Sequence, residues 1–549
     1  MRTLKAASDS DRQVTINHGI VGSRPTKLIS GILAALIGGG IILLLFGWHI
    51  VPPTHIGWML SGQIGPDPVQ YWLGWTFFRA DLWRWPPGLS PRFGLEAASS
   101  IFYADAIPLL ALPLKALRGV VEVGQYWGLW IVGCGALHGW LAWRLIGLVT
   151  TSPLARLAGS VLFVLQPVLI NRLGGHFALG GQWLILWGLW LALTLGGRWR
   201  DLHWAALLLA ASLVHAYILP MVAGLWAADA WRRRAWAEVP LVPGAGVLGL
   251  WLGGFFVLRA GHGALPPYGG MQMDLLAPFD PGHWGSLLPQ LPRPDHLEVG
   301  GSYLGIGALL LLPLAFWAPR AGRLWPLALV LLAMLAFAIT HRPSLGGVQI
   351  TLFSLPFADT LGALRASERY WWPVAYALML AGIAGLARLV GPRRAGVALL
   401  ALAALQAWDL RPGYARIAHY FPPTPATVPL RLPDPRWARA SVLRVVPAAN
   451  QGPWWEEVAV AAAVHSAATD AIYLARADPA ILATMGAAAL TRLREARLEP
   501  GTLYVLRDDA ALAAARAGGL EPVQLDGLWV VPSPETLARC NATGRRATW

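Results

Sequence analysis

Long apolar segments follow one another through most of this sequence. The first, residues 28–48, holds about 20 apolar residues, which is enough to cross a bilayer core of about 30 Å. Hydrophobic residues make up 56% of the 549-residue chain and charged residues only 13%, so it has more apolar surface than a soluble core can bury. Charged breaks divide the apolar sequence into about eleven segments. The sequence therefore predicts a polytopic α-helical membrane protein with about 11 transmembrane helices.

Basic residues orient the predicted spans, because cytoplasmic loops carry an excess of Lys and Arg. This rule predicts a cytoplasmic tail, residues 1–27, and a transmembrane domain, residues 28–410, with long outer loops at 49–125 and 259–302. Every strongly basic short loop then lies inside, provided that residues 101–117 lie on or dip into the membrane without crossing it. If they cross, every later loop reverses.

Two further expectations follow from the same pattern. Residues 202–231 are too long for one upright helix and predict two shorter ones, with a turn at 215–217. The formal net charge of +14 belongs to the topology-setting loops, so no nucleic-acid partner is expected.

The sequence changes character after residue 410. A linker, residues 411–435, precedes a region with alternating strand and helix patterns. Aliphatic runs predict strands at 441–446, 502–506 and 527–531, and a helix at 478–497 has Asp478 as N-cap and Pro479 in its first position. Residues 436–549 thus predict a small extracytoplasmic α/β domain. The sequence has no phosphate-binding Gly loop, metal-ligand cluster or nucleophile motif there, which favours a structural or acceptor-docking role.

Asp67 follows the first predicted span and has two interpretations. With Pro68 after it, Asp67 fits the N-cap of an interfacial helix at 68–79. A helix N-terminus also keeps a carboxylate ionised, so Asp67 equally fits a general base that takes a proton from an acceptor hydroxyl. Gln70, in the same loop, is assigned to the binding site.

A second carboxylate, Asp105, lies within an apolar run of the same loop. A charge in such surroundings is costly without a partner. Asp105 is therefore a second candidate catalytic carboxylate, and pairing with Arg92 or Lys115 is the structural alternative.

Further polar residues fall at the outer ends of predicted spans. A single histidine there is more typical of a structural hydrogen bond, but several side chains converging on one rim favour a binding site: Arg172, His176, His215 and Tyr217. Tyr268, in the second outer loop, offers an aromatic face to a sugar, although a turn explains the glycines after it equally well.

Arg365, Glu368 and Arg369 precede an inward-going span. Guanidinium groups bind phosphate oxygens bidentately, so these arginines fit a lipid phosphate or diphosphate. The alternative is ordinary interfacial flanking with an internal Arg–Glu pair.

With these residues in place, the chain resembles the GT-C superfamily of integral-membrane glycosyltransferases, and within it an uncharacterised bacterial branch. The resemblance covers nearly the whole chain, although the superfamily shares an architecture more than a motif. The segments that carry it are Gly-Pro-Asp-Pro-Val-Gln at 65–70, Ser-Ser-Ile at 99–101 with Asp-Ala-Ile-Pro at 105–108, the turn at 172–176, and Leu-Arg-Ala-Ser at 364–367.

The resemblance implies a polyprenyl-phosphate or diphosphate sugar donor and an essential acid that maps to Asp67. This residue would deprotonate an extracytoplasmic acceptor hydroxyl in an inverting displacement, while Arg365 and Arg369 stabilise the leaving phosphate. The common paired acids are absent, because Pro66 and Pro68 flank Asp67, and this leaves the base and any metal requirement open. No cofactor is expected, and a divalent metal is not indicated.

The resemblance further implies a multi-pass protein of the bacterial inner membrane, with membrane lipids as partners and a cell-envelope glycan, lipid or protein as acceptor. Two alternatives stay open: a transporter or flippase of lipid-linked sugars, and a non-catalytic protein of envelope-polysaccharide assembly. A transporter predicts an inverted repeat and ionisable groups at mid-membrane, whereas the acids here gather at the predicted outer ends.

Overall fold

The structure is a computed structural model that describes residues 24–194, 196–197, 199–257, 267–291, 301–319 and 322–541. Most of the predicted tail, residues 1–23, lies outside the described residues, as do 258–266 and 292–300 of the predicted second outer loop. The chain is mostly helical up to residue 420. The helices of this part are α1 Arg24–Phe46, α2 Gly57–Leu60, α3 Asp67–Ala80, α4 Pro108–Ala116, α5 Trp127–Ile146, α6 Pro153–Val164, α7 Pro167–Leu173, α8 Trp183–Leu193, α9 Arg200–Val214, α10 Ile218–Arg233, α11 Leu241–Gly253, α12 Ile306–Leu309, α13 Trp325–Ile339, α14 Trp371–Val390, α15 Pro392–Asp409 and α16 Arg411–Tyr420.

Four helical segments within the described residues are long and apolar enough to cross a membrane. The number becomes five if the bent pair of α6 and α7 forms one span. The structure therefore does not support the predicted count of about 11 full-length spans, because most of the other apolar segments form helices of 16 residues or fewer, and the 18-residue α15 carries three charged residues. The four segments are Leu28–Phe46, Trp127–Ile146, Gly322–Ile339 and Ser367–Val390.

Proline and glycine interrupt several of the predicted spans. The apolar segment 153–173 breaks before Pro167, where α6 and α7 meet at 52°, because proline lacks an N–H and disfavours helical backbone in the residue before it. α11 ends after 13 residues at Gly254, whose φ is +83°. The predicted division of 202–231 is confirmed, since α9 ends at Val214 and α10 begins at Ile218.

Glycines bring α1 and α5 into backbone contact. Gly135 and Gly139 lie about one turn apart on α5, and Gly38 lies opposite them on α1. A Cβ atom on Gly38 would lie 2.3 Å from the carbonyl oxygen of Gly135, and one on Gly139 would lie 2.6 Å from that of Ala34. Small residues four positions apart allow this close packing between membrane helices.

The C-terminal part is an α/β domain, as predicted. Strands lie at the three predicted positions, as β3 (Val442–Val446), β5 (Thr502–Leu506) and β7 (Leu528–Pro532). Asp478 caps the helix α18 (Pro479–Arg494) by accepting a hydrogen bond from the N–H of Ala480 at 2.9 Å. The sequence does not predict the shorter elements. In order, the elements are β3 Val442–Val446, α17 Trp455–Val464, β4 Ala468–Thr469, α18 Pro479–Arg494, β5 Thr502–Leu506, α19 Asp509–Ala517, β6 Val523–Leu525, β7 Leu528–Pro532 and α20 Pro534–Asn541.

The described sheet of this domain has the strand order β4-β3-β5-β7-β6. β3, β4 and β5 run parallel, whereas β7 is antiparallel to both β5 and β6. The carboxyl ends of the three parallel strands therefore meet at one edge of the sheet. The predicted linker at 411–435 is not wholly irregular, because it begins with α16. Earlier in the chain, a short hairpin of β1 Ser344–Leu345 and β2 Val348–Gln349 lies between α13 and α14.

Residues 49–125, predicted as a long outer loop, contain α2, α3 and α4. The helix predicted at 68–79 is confirmed as α3. Its predicted interfacial position is wrong, because α3 is buried from Pro68 to Phe78 and its apolar side chains pack inside the protein against neighbours that include α17. Of residues 101–117, only the nine residues of α4 are helical. A helix of that length spans about 13 Å and is too short to cross a bilayer.

The C-terminal domain is attached to this layer by backbone and charged contacts. The N–H of Gly94 donates to the carbonyl of Thr469 at 2.8 Å, and the N–H of Thr469 donates to the carbonyl of Arg92 at 2.9 Å. Arg444 is buried and pairs with Glu96 at 2.8 Å as well as with acids of its own domain. These contacts hold the domain against the layer that carries Asp67.

Candidate functional site

Asp67 is the first residue of α3 and contacts His176 and Tyr473. The N-cap of α3 is Pro66, and no side chain caps this helix, so the predicted cap role of Asp67 is wrong. Instead, Oδ2 of Asp67 lies 3.2 Å from Nδ1 of His176, and the carboxylate accepts a hydrogen bond from the hydroxyl of Tyr473. The Asp67 side chain is 22% exposed. It is mostly buried but can still be reached by a substrate.

The neighbours of His176 determine which ring nitrogen carries the proton. Nδ1 faces the Asp67 carboxylate and lies 3.4 Å from the hydroxyl oxygen of Tyr71. That hydroxyl donates its own hydrogen to the carbonyl of Gly175 at 3.3 Å. Nδ1 therefore faces only acceptors and is protonated, which leaves Nε2 as an acceptor.

Asp105 lies in a strained stretch of backbone. Its φ is +51° and that of Ile107 is +48°, a region that β-branched residues rarely adopt. Neither predicted structural partner pairs with it, because Arg92 and Lys115 donate hydrogen bonds to backbone carbonyls elsewhere. Asp105 instead faces His215, whose Nε2 lies 3.9 Å from Oδ1. Strain of this kind clusters at functional sites.

Burial raises the pKa of the two carboxylates to different extents. Burial raises the pKa of Asp67, and the hydrogen bond from Tyr473 offsets part of this effect. Burial and then the negative charge of Asp67 raise the pKa of Asp105 to about 7, against the opposing charge of Arg369. Asp105 therefore keeps its proton up to about neutral pH, whereas the hydrogen bond from Tyr473 limits the rise in the pKa of Asp67.

Both histidines are neutral at physiological pH. Burial and then the positive charges of Arg172 and Arg369 lower the pKa of His176 well below its usual value. Burial and the same two arginines lower the pKa of His215 to about 3. The histidines therefore face the carboxylates as neutral rings and not as cations.

Arginines approach the carboxylates from two further segments. The guanidinium carbon of Arg369 lies 4.6 Å from the ring centre of Tyr217, and its charge acts on Asp105. Arg172 is buried, and its guanidinium carbon lies 5.8 Å from the ring centre of Trp372. Both positions suit an anionic ligand held near the carboxylates.

The turn at 215–217 is tied to the segment 365–369. The hydroxyl of Tyr217 accepts a hydrogen bond from the N–H of Ala366 at 3.1 Å. Arg365 follows a short helix at Thr360–Leu364 and precedes this contact. Glu368 is buried and accepts a hydrogen bond from the hydroxyl of Ser302. Segment 365–369 is therefore fixed in place by contacts from two other parts of the chain.

Two predicted site residues have other contacts. The side-chain amide of Gln70 is buried and donates to the carbonyl of Tyr103 at 3.0 Å, which holds α3 against the segment of Asp105. The hydroxyl of Tyr268 donates to the carbonyl of Phe337 at 2.9 Å, and its ring stacks on His341. These contacts place Gln70 beside the segment of Asp105, whereas Tyr268 packs against the end of α13.

The remaining predicted site residues are brought together. They come from α3, the strained stretch before α4, the end of α7, the turn between α9 and α10, and the segment before α14. The contacts between these residues, and the effect of their charges on one another, show that they lie close together. We call this group the carboxylate–arginine cluster: Asp67, Asp105, Arg172, His176, His215, Tyr217, Arg365, Glu368 and Arg369.

Sequence reasoning misses three residues at this cluster. Tyr71 contacts His176 from α3, and Tyr473 contacts Asp67 from the C-terminal domain. Arg476 donates through Nη2 to the carbonyl of Ala363 at 2.7 Å. Tyr473 and Arg476 could have been found from the topology, because they follow the carboxyl end of the parallel strand β4, and ligands bind at this end of parallel strands. β4, which precedes Tyr473, has only two residues and is too short to recognise from its pattern.

No group of three or more His, Cys, Asp or Glu side chains that could hold a metal ion occurs within the described ranges. The expectation that no cofactor is needed and that a divalent metal is not indicated stays a prediction.

Comparison with known proteins assigns the chain to a family. Residues 35–411 match the family described as Domain of unknown function (DUF6311), which covers more than half of the chain. The chain belongs to the DUF6311 family. Residues 436–533 match the DUF6311 C-terminal domain, and this range contains Tyr473 and Arg476. No curated protein matches the DUF6311 chain.

Proposed function

We propose that this protein is a membrane glycosyltransferase of GT-C type. It would move a sugar from a polyprenyl-phosphate or diphosphate donor to an acceptor hydroxyl by inverting displacement. The observation that carries the proposal is the carboxylate–arginine cluster, in which two carboxylates with pKa values raised to different extents lie beside several guanidinium groups. Carboxylates set apart in pKa suit acid–base work, and arginines suit a phosphate leaving group.

Asp67 is the proposed base. It takes the proton of the acceptor hydroxyl while the acceptor oxygen forms its bond to the anomeric carbon. The bond from that carbon to the phosphate oxygen breaks, and the lipid phosphate leaves with the electron pair. Tyr473 donates to Asp67, and Nδ1 of His176 lies 3.2 Å from Oδ2, so both side chains hold the carboxylate in one direction. Asp105, protonated near neutral pH, is better suited to donate a hydrogen bond to the substrate.

The phosphate is assigned to Arg365 and Arg369. Charge builds on the leaving phosphate as the bond breaks, and fixed guanidinium groups stabilise that charge without reorganising. The sugar is then expected to lie between these arginines and Asp67. Glu368 and the hydroxyl of Tyr217 hold the arginine segment in place.

An apolar surface beside the arginines supports a lipid-linked donor. Residues 340–366 connect the candidate spans Gly322–Ile339 and Ser367–Val390 and therefore lie at a membrane surface if both spans cross. Six large apolar side chains of this connection are each more than half exposed, which suits contact with a hydrocarbon chain. They are Leu345, Val348, Ile350, Leu352, Phe353 and Phe357.

The proposed location is the bacterial inner membrane, with the N-terminus in the cytoplasm and the C-terminal domain outside. In this topology the shorter apolar helices complete about eleven crossings, some of them tilted or broken, between the four long spans. Fusion of a reporter enzyme to residue 541 would report the side of the C-terminal domain.

The central test compares Asp67→Asn with the parent protein in lipid vesicles. A panel of polyprenyl-phosphate sugars is supplied with envelope acceptors, and released polyprenyl phosphate is measured by mass spectrometry. We expect the rate to fall about 10²-fold to 10⁴-fold, the usual contribution of a general base. Glu122→Gln, an exposed acid in the same 49–125 layer, is the matched control and should keep full activity.

Two outcomes would overturn the proposal. Full activity of a folded Asp67→Asn protein would remove Asp67 as the base. Movement of intact donor across the vesicle membrane without release of polyprenyl phosphate would identify a flippase.

A further inference from the structure

A loop of the C-terminal domain, residues 470–476, follows β4 at the carboxyl edge of the parallel strands. It is held on both sides within its own domain. Oδ1 of Asp470 accepts a hydrogen bond from the N–H of Val445 at 2.7 Å. The side chain of Asn450 accepts from the N–H of Leu474 at 2.9 Å and donates to its carbonyl at 3.1 Å. The loop is thus a fixed projection from the sheet, at the edge where open α/β sheets bind ligands.

The 470–476 loop contacts the helical part of the chain at three separate points. The hydroxyl of Tyr473 donates to Asp67. The N–H of Ala475 donates to the carbonyl of Tyr103 at 3.0 Å. Arg476 donates to the carbonyl of Ala363 at 2.7 Å. The loop therefore connects the segment of the carboxylates with the segment of the arginines.

Arg476 adds a positive charge to the arginine segment. Ala363, its hydrogen-bond partner, lies two residues before Arg365. Burial lowers the pKa of Arg365; Tyr217 opposes this effect, and the positive charges of Arg476 and Arg369 add to it. The guanidinium group of Arg365 is therefore repelled by both Arg476 and Arg369. An anionic group bound between them would remove that repulsion and gain charge-assisted hydrogen bonds.

We propose that the 470–476 loop completes the donor site, with Arg476 binding the phosphate together with Arg365 and with Tyr473 holding Asp67 in place. This inference rests on the proposed function and adds to it that the donor site is shared between the two domains. Arg476 is a binding residue for a phosphate or diphosphate group on a lipid. Tyr473 is a positioning residue, because it acts through the Asp67 carboxylate.

The Arg476 part is tested by binding, which needs no turnover. The purified full-length protein is titrated with farnesyl phosphate, with farnesol and with inorganic phosphate. We expect Arg476→Gln to bind farnesyl phosphate about 10-fold to 100-fold more weakly, the loss of one or two hydrogen bonds to a charged group. Binding of farnesol should not change. The control is Arg497→Gln, since Arg497 is 79% exposed in the same domain and pairs with Glu495.

The affinities for farnesyl phosphate and for inorganic phosphate decide whether Arg476 binds a lipid phosphate. Equal affinity of Arg476→Gln and the parent protein for farnesyl phosphate would overturn the assignment of Arg476. Displacement of farnesyl phosphate by inorganic phosphate at equal concentration would assign the site to free phosphate and overturn the lipid headgroup. A need for a large excess of inorganic phosphate would support the headgroup.

The Tyr473 part is tested by the pH dependence of transfer. The hydrogen bond from Tyr473 lowers the pKa of Asp67, so Tyr473→Phe should move the acidic limb of the rate profile to higher pH. We expect the transfer rate of Tyr473→Phe to be about 2-fold to 10-fold lower than that of the parent protein at pH values on the acidic limb, and equal to it at higher pH. Tyr504→Phe removes a hydroxyl elsewhere in the domain and should leave the limb unmoved.

Failure of this inference differs from failure of the proposed function. An unmoved limb in Tyr473→Phe, with normal transfer by the parent protein, overturns the positioning role alone. Absence of transfer by the parent protein under all conditions overturns the proposed function, whereas the affinity of Arg476→Gln for farnesyl phosphate still decides the binding site.

Discussion

Replacing Asp105 with Asn should make the protein more stable at neutral and alkaline pH. Asp105 is mostly buried, and its pKa rises from an ordinary value of 3.8 to about 7. A carboxyl whose pKa is raised on folding favours the unfolded state once the pH exceeds its ordinary pKa. Asparagine has nearly the same shape and carries no charge, so it removes this cost.

The magnitude follows from the pKa difference. At about 1.4 kcal/mol per pKa unit, the step from 3.8 to about 7 corresponds to about 4 kcal/mol. Below about pH 4 the carboxyl is protonated in both states and contributes nothing. Between about pH 4 and 7 only the unfolded chain releases its proton, so stability falls as pH rises. Above about pH 7 the loss is complete, and Asp105→Asn has its largest advantage.

The assay is the apparent melting temperature of the detergent-solubilised protein at several pH values. The two proteins should melt alike near pH 4, and Asp105→Asn should melt several degrees higher near pH 8, since about 1 kcal/mol corresponds to about 2–4 °C in a domain of 150–250 residues. Asp509→Asn, at an exposed position of α19, should show the pH dependence of the parent protein. A lower melting temperature of Asp105→Asn at pH 8 would refute the reasoning, because it would mean that Arg369 and its neighbours stabilise the carboxylate.

Three further predictions concern stability. Asp229→Ala should lower the free energy of unfolding by about 3–5 kcal/mol, because the fully buried Asp229 accepts hydrogen bonds from Arg200, Arg232 and Arg233. The apparent melting temperature should fall sharply, and an unchanged value would exclude a structural role for this network. Gly135→Leu should lower the free energy of unfolding by about 1–3 kcal/mol, because the larger side chain overpacks the contact between α1 and α5. A Cβ atom at Gly133 would lie in open space, so Gly133→Leu should melt like the parent protein. Arg444→Met should make the C-terminal domain more sensitive to limited proteolysis, increasingly above pH 7. Burial raises the pKa of Asp470 to about 7 even with Arg444 beside it, so without Arg444 the ionised carboxylate is buried without its partner. Resistance equal to that of the parent protein would contradict this.

Patterns within short stretches determined the local structure. The strands at 442–446, 502–506 and 528–532 and the capped helix after Asp478 appear where aliphatic runs and an Asp-Pro pair predict them, because these preferences depend on neighbouring residues only. The turn at 215–217 follows from the length limit of a membrane helix in the same way. Asp67 and Asp105 could be selected from the sequence as costly charges near apolar segments.

Tertiary structure alone decided the lengths of the helices and the partners of the charged residues. An apolar run predicts a helix, but close packing and chain breaks such as the one at Pro167 determine where that helix ends. Asp67 looks like a helix cap from its neighbours, yet it contacts His176 and Tyr473, which are far away in the sequence. Its pKa, like that of Asp105, depends on burial and on the distances to other charges, and these exist only once the two domains have packed together.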